Sequence, residues 1–136
     1  MRLVADANVL LSAVIGGQAR AVLEHPDVES VVTAAATFEE VREYASHLAR
    51  KKRLGLELVL LAVATLPVAI VPREHCKDAL PRARRKIAKR DPDDVELLAL
   101  ALHPGRPLWS NDNDFKVAGT EWHTTAELLR RLRPSR

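Results

Sequence analysis

Short apolar runs alternate with longer helical patterns along the whole chain, and this alternation most constrains the fold. Four runs have the length and composition of buried strands, at residues 3–5, 30–34, 68–71 and 107–110. Residues 121–124 have the pattern of a short edge strand. Strands that alternate with helices favour parallel pairing in a sheet that helices cover on both faces. The sequence therefore predicts a three-layer α/β/α fold with a short, mainly parallel central sheet.

The segments between these strands carry helical patterns. Residues 56–66 are almost continuously apolar, which predicts a buried helix, and we favour the core over a dimer interface for it. Pro81 is expected to interrupt the polar segment 73–90 or to start its second half. Thr124 and Glu127 have capping-box spacing before the last helix. The predicted helices cover residues 8–14, 19–24, 37–53, 56–66, most of 73–90, 91–102 and 126–132.

Length and composition indicate one soluble domain over residues 1–136. The chain is 47% hydrophobic and 29% charged, as globular proteins are, and it contains no run of about 18 apolar residues. We expect a cytoplasmic protein without a membrane segment. The single cysteine, Cys76, excludes an internal disulfide and resembles neither a zinc cluster nor a redox pair.

Acidic residues occur where the predicted buried elements begin or end. Asp6 directly follows the first strand, and Asp112 and Asp114 follow the fourth. In a parallel sheet these two strands end at the same edge, where ligands bind in open α/β folds. Further acids lie on the third helix and before the apolar helix 95–102: Glu39, Glu40, Glu43, Asp91, Asp93 and Asp94.

Each acid also has a purely structural explanation. Asp6 and Asp91 suit the N-cap of the helix that follows, Glu40 completes a capping box with Thr37, and Asp112 suits a polar turn. Carboxylates gathered in one place, however, repel one another unless they are protonated or bridged by a cation. Oxygen ligands without His or Cys favour Mg²⁺ or Mn²⁺ over Zn²⁺.

Four segments in this order carry a family resemblance: VADANVLL, FEEVREY, RDPDDVELLALAL and LWSNDNDF. Together they resemble the PIN-domain family, especially the VapC-like ribonuclease toxins. Asn8 stands where many relatives carry Ser or Thr, which leaves its contact with Asp6 open, and the adjacent Glu39 leaves the choice of Glu40 open. The resemblance implies catalytic acids at Asp6, Glu40, Asp94 and Asp112, metal ligation by Asp6, Asp94, Asp112 and Asp114, and supporting roles for Asn8, Ser110 and Asp91.

The resemblance also implies an activity and partners. One or two Mg²⁺ or Mn²⁺ ions would assist in-line hydrolysis of RNA and leave a 5′-phosphate and a 3′-hydroxyl. Glu40 or Asp114 would orient the water, and the sequence does not choose between them. Such toxins commonly form homodimers and are inhibited by an antitoxin protein, so we expect both kinds of partner.

A basic run lies directly before the Asp91 cluster. A cationic track beside a metal pocket would neutralise phosphates and guide a strand inward, although a solvated helix face is the ordinary use of such a run. We interpret it as a nucleic-acid path. Its members are Arg82, Arg84, Arg85, Lys86, Lys89 and Arg90.

Two other functions are compatible with parts of the pattern. A catalytically weak PIN-like module would bind RNA or a protein without turnover, which the complete acid set argues against. Phosphatase or phosphoacceptor chemistry on Asp6 is disfavoured, because the second aspartate expected two positions later is Asn8.

Overall fold

A five-stranded, all-parallel sheet forms the centre of the protein. The computed structural model describes residues 1–87, 94–103 and 105–132. Within them the strands are β1 (Arg2–Ala5), β2 (Ser30–Ala34), β3 (Ala69–Val71), β4 (Leu108–Trp109) and β5 (Trp122–His123). The predicted short parallel sheet is confirmed. The apolar runs located β1 to β4, and the edge-strand pattern located β5.

Helices cover both faces of this sheet, which confirms the three-layer prediction. In the described residues the helices are α1 (Ala7–Val14), α2 (Ala19–Leu23), α3 (Ala35–Lys51), α4 (Leu56–Ala64), α5 (Leu80–Ile87), α6 (Val95–Leu102) and α7 (Thr125–Arg131). Helices α1 to α4 and α7 pack on one face of the sheet, and α5 and α6 pack on the other.

Alternation along β1 divides its side chains between two hydrophobic clusters. Leu3 and Ala5 pack with α1 to α4, whereas Val4 packs with α5 and α6. All three residues are fully buried. A strand covered on both faces has no polar side, which is why these segments read as continuous apolar runs.

The strand order β3-β2-β1-β4-β5 contains one reversal, between β1 and β4. The chain moves outward from β1 through β2 to β3, and then returns to the other side of β1 to form β4 and β5. In parallel sheets such a reversal opens a crevice at the carboxyl ends of the two strands. The crevice here lies where Asp6 follows β1 and Ser110 follows β4.

The prediction of a buried α4 is wrong. Only Val59 and Val63 of this helix are buried, and both pack on the α1 side of the sheet. Leu58 is 71% exposed and Leu61 is 60% exposed. Because only one narrow side of α4 packs on the core, all four of its leucines are exposed and form an apolar surface. That surface also includes Leu56 and Leu60.

The predicted capping box at Thr37 and Glu40 is also wrong. Helix α3 begins at Ala35, directly after β2, and Ala34 occupies its N-cap position without a side-chain hydrogen bond. Thr37 is therefore buried inside the first turn. The strand continues into the helix without a loop, so the predicted N-cap, Thr37, lies three residues after the observed one, Ala34.

The boundary predictions at Thr124 and Pro81 are confirmed. Thr124 and Glu127 form a complete capping box on α7. Pro81 lies in the first turn of α5, where its missing N–H costs no helix hydrogen bond, after two short 3₁₀ turns. Gly16 has φ of +81° and ends α1. Among the described residues, no helix combines the length and hydrophobicity needed to cross a membrane.

Candidate active site

Asp6 is fixed by both its backbone and its side chain. Its N–H donates to the Trp109 carbonyl at 3.0 Å, which ties the end of β1 to the end of β4. Its Oδ1 accepts from the N–H of Ala7 at 2.7 Å, so Asp6 is the N-cap of α1. The residue is only 5% exposed, yet it borders a pocket. Asp6 therefore caps α1 and lines the pocket at the same time, so the two explanations of this residue do not exclude each other.

The other carboxylate oxygen of Asp6 is held from β4. Ser110 is fully buried, and its hydroxyl donates to Asp6 Oδ2 at 2.7 Å. Asn8 Nδ2 donates to the same oxygen at 3.2 Å and to Ser110 Oγ at 3.3 Å. The open question about Asn8 is thereby answered, because its amide contacts Asp6 directly.

The same two residues orient the loop that follows β4. Ser110 Oγ accepts from the N–H of Asp112 at 3.0 Å. Asn8 Oδ1 accepts from the N–H of Asn111 at 3.2 Å. Residues 8 and 110 therefore link the acid after β1 to the acid after β4 through hydrogen bonds.

Four of the predicted acids line one open pocket of about 200 Å³. They come from different elements: Asp6 from the end of β1, Glu40 from α3, Asp94 from the start of α6, and Asp112 from the loop after β4. The remaining lining residues are Ala7, Asn8, Leu11 and Tyr44. The structure thus brings together acids that are far apart in the sequence.

The structure also distinguishes the three glutamates of α3. Glu40 lines the pocket and is half-buried. Glu39 is exposed and pairs with Arg42 at 2.8 Å, and Glu43 is exposed as well. Of the three, only Glu40 is in place to act at the site.

The pocket offers the oxygen donors that Mg²⁺ and Mn²⁺ prefer, so the residues present fit such an ion. Within residues 1–87, 94–103 and 105–132, no three His, Cys, Asp or Glu side chains are grouped tightly enough to form a ready metal cluster. The acids border a shared space instead of converging on one point.

Some predicted site residues lie outside the described residues. These are Asp91, Lys89 and Arg90, and the side chain of Asp114 is likewise not described. The backbone of residue 114 belongs to a 3₁₀ helix, Asn113–Ala118. The polar turn predicted at Asp112 therefore leads into this helix at Asn113.

The described part of the basic run lies on α5. Leu80, Ala83 and Ile87 form the buried side of this helix. The cations on its other sides are exposed, and the helix packs against α6 and the 3₁₀ helix that follows the site loop. The exposed cations are Arg82, Arg84, Arg85 and Lys86.

Sequence reasoning missed two polar residues near the site. Asn111 Oδ1 accepts from the N–H of Thr125 at 2.9 Å, which attaches the site loop to the start of α7. Tyr44 lines the pocket and is 52% exposed. The spacing of Tyr44 four residues after Glu40 on one helix could have revealed it, because such pairs share a face. No sequence pattern marks the contact of Asn111.

Comparison with known proteins identifies the family. Residues 4–133 match the family model of the PIN domain. The chain belongs to the PIN-domain family. The resemblance in the four sequence segments is therefore confirmed. A search of curated protein sequences gave no significant match.

Solved structures of PIN proteins share this fold. VapBC2 from Rickettsia felis, solved with a DNA fragment from its promoter, is 14% identical, with a TM-score of 0.70 over 91% of this chain and 98% of that one. A toxin–antitoxin complex from Klebsiella pneumoniae is 20% identical, with a TM-score of 0.65 over 90% and 97%. VapC20 from Mycobacterium tuberculosis, described as a sarcin-ricin loop cleaving toxin, is 20% identical, with a TM-score of 0.60 over 87% and 95%.

Proposed function

We propose that this PIN protein is a Mg²⁺- or Mn²⁺-dependent endoribonuclease. In this proposal it acts in the cytoplasm as the toxin of a toxin–antitoxin pair, and residues 1–136 form a single domain. The observation that carries the proposal is the pocket lined by Asp6, Glu40, Asp94 and Asp112 at the reversal of the sheet. A toxin–antitoxin complex and a toxin described as cleaving the sarcin-ricin loop, both among the structural neighbours, support the biological setting.

Asp6, Asp94 and Asp112 are the proposed ligands among the described side chains, with Asp114 as an additional one. Bound there, the ion would lower the pKa of a water and stabilise the charge that develops on the phosphate. Ser110 and Asn8 keep Asp6 Oδ2 in one orientation through their hydrogen bonds. Fixed carboxylates lose little conformational entropy when they bind a ligand, so this network favours binding.

Glu40 is the proposed residue that orients the attacking water. It comes from a helix rather than from a strand end, and it is half-buried at the pocket wall. A carboxylate at this place accepts a hydrogen bond from water and can take up its proton. Asp114 remains the other candidate for this role.

The decisive experiment compares carboxylates inside and outside the pocket. Asp6→Asn and Glu40→Gln should abolish Mn²⁺-dependent cleavage of an RNA hairpin while the far-ultraviolet circular dichroism spectrum is unchanged. Glu39→Gln is the matched control, since Glu39 neighbours Glu40 in the sequence but lies outside the pocket. Cleavage products should carry a 5′-phosphate. Full cleavage in EDTA would reject the proposal, and RNA binding without turnover under any divalent metal would favour the non-enzymatic module.

We further propose that RNA reaches the pocket along α5. Its exposed cations lie on a helix that packs against α6, which begins beside Asp94. Arg84→Glu combined with Arg85→Glu should weaken RNA binding. A plot of the logarithm of the association constant against the logarithm of salt concentration should also become less steep, because fewer counterions are released. An unchanged salt slope would place the RNA elsewhere.

The leucine surface of α4 supports the proposed protein partners, an antitoxin and a second copy of the chain. Exposed leucines are costly in water, and neighbouring large apolar side chains on a monomer often mark an interface. Leu58→Ser combined with Leu61→Ser should weaken at least one of these associations in analytical ultracentrifugation of the chain with and without its antitoxin. Unchanged association of both kinds would exclude this surface.

A further inference from the structure

Glu96 is a buried carboxylate on α6 that has no place in the pocket. It is 9% exposed and stands between apolar residues of a helix whose other buried residues are all hydrophobic. A carboxylate in such surroundings is costly unless hydrogen bonds compensate it. Its partners therefore indicate why it is there.

The main partner of Glu96 lies on α3. Glu96 Oε2 accepts from the backbone N–H of Ala36 at 3.0 Å. In the described part of the chain Arg73 also approaches Glu96. Its Nη1 is 3.9 Å from the other carboxylate oxygen, and its side chain is mostly exposed. The short contact with the α3 backbone is thus the stronger one, since exposed pairs at that distance contribute little.

This contact supplies what the start of α3 lacks. The first four N–H groups of a helix have no partner within it, and the N-cap side chain usually satisfies one of them. Here Ala34 occupies that position and makes no such bond. A carboxylate from another helix fills the role and also interacts favourably with the positive end of the α3 dipole.

The bond joins the two helices that carry pocket acids. Ala36 lies one helical turn before Glu40 on the same face of α3, and Glu96 lies two residues after Asp94. A shift of α3 relative to α6 would change the separation of the carboxylates of Glu40 and Asp94. The Glu96–Ala36 hydrogen bond opposes that shift.

We propose that Glu96 is a positioning residue, which couples the start of α3 to α6. It thereby fixes the proposed ligand Asp94 relative to Glu40, the residue proposed to orient the water. The coupling follows from the contacts described above, and its consequence for ion binding rests on the proposed function. Glu96 itself touches neither the ion nor the substrate.

The test measures Mn²⁺ binding directly, from the electron paramagnetic resonance signal of free Mn²⁺, together with amide hydrogen exchange at Ala36. Glu96→Ala should weaken Mn²⁺ binding by about 10-fold, the size typical for residues that orient metal ligands. It should also speed exchange at Ala36. Glu96→Gln should retain most of the affinity, because its amide oxygen still accepts from Ala36. If Glu96→Ala does not fold, the Gln variant provides the comparison.

Val22→Ala is the control for a general loss of stability. Val22 is fully buried on α2, on the opposite face of the sheet from α6. The proposal is wrong if Glu96→Ala and Val22→Ala, at similar losses of Tm, weaken Mn²⁺ binding equally. Unchanged hydrogen exchange at Ala36 in Glu96→Ala would also overturn it. If the wild-type chain binds no Mn²⁺, the proposed function fails, and exchange at Ala36 still decides whether Glu96 couples the helices.

Discussion

Removing the Ser110 hydroxyl should lower the free energy of unfolding by more than the loss of one buried hydroxyl usually does. The hydroxyl donates to the Asp6 carboxylate at 2.7 Å and accepts from the N–H of Asp112 at 3.0 Å, in a fully buried position. A hydrogen bond to a charged group contributes about 1.5–3 kcal/mol, and the N–H left behind adds to the loss. We therefore expect Ser110→Ala to lower the free energy of unfolding by about 2–3 kcal/mol. For a chain of this length that corresponds to a fall in Tm of about 6–12 °C.

The assay is thermal and urea unfolding in EDTA, so that no ion contributes to the result. Thr33→Val is the matched control, because Thr33 is also fully buried and its hydroxyl donates to the neutral carbonyl of Ala5 at 2.8 Å. That bond should contribute about 1 kcal/mol. The difference between the two variants measures the additional effect of the carboxylate.

The reasoning is refuted if Ser110→Ala loses no more stability than Thr33→Val. A double-mutant cycle gives a second check, since in the Asp6→Asn background the Ser110 hydroxyl faces a neutral acceptor. There its removal should cost only about 1 kcal/mol, and the difference is the coupling energy between the two side chains. No coupling would mean that Ser110 does not hold Asp6.

Three further predictions concern single titratable groups. Asp112→Asn should stop RNA cleavage and remove the Mn²⁺-induced rise in Tm. In the wild type, Mn²⁺ at a concentration of 100 times its Kd should raise the free energy of unfolding by about 2.7 kcal/mol. Hydrogen bonds from the backbone and hydroxyl of Thr124 lower the pKa of Glu127 below its ordinary value of 4.5. The carboxylate therefore stabilises the fold above that pH and loses this effect as the pH falls. Glu127→Gln should flatten the dependence of Tm on pH in acid. Burial, followed by the charge of Glu96, raises the pKa of the Cys76 thiol, so Cys76 should react slowly with Ellman's reagent until guanidinium unfolds the chain.

Local patterns were sufficient for the sheet and for the strand-end acids. A strand buried on both faces has to be continuously apolar, so residues 3–5 and 30–34 could be located from composition alone. Parallel order then determines that Asp6 and Asp112 lie at the same edge. Neither step depends on how the helices pack.

Helix surroundings could not be predicted in the same way. The leucines of α4 are apolar whether or not anything covers them, so their composition did not reveal that Leu58 is exposed. The cap of α3 was missed because its acceptor, Glu96, lies 60 positions away on another helix. Such contacts depend on tertiary packing, which leaves no local spacing to detect.

The two halves of the candidate site are therefore held by different forces. Asp6 and Asp112 follow neighbouring strands, and backbone hydrogen bonds between β1 and β4 set their separation, helped by the Ser110 hydroxyl. Glu40 and Asp94 lie on or next to helices whose relative position depends on side-chain contacts, among them the one from Glu96. Helices slide past one another at a lower cost than strands slip in register, because a register shift breaks every hydrogen bond of the ladder. If binding of a divalent ion draws the proposed ligands inward, Asp94, which lies next to a helix, should move towards Asp6 and Asp112.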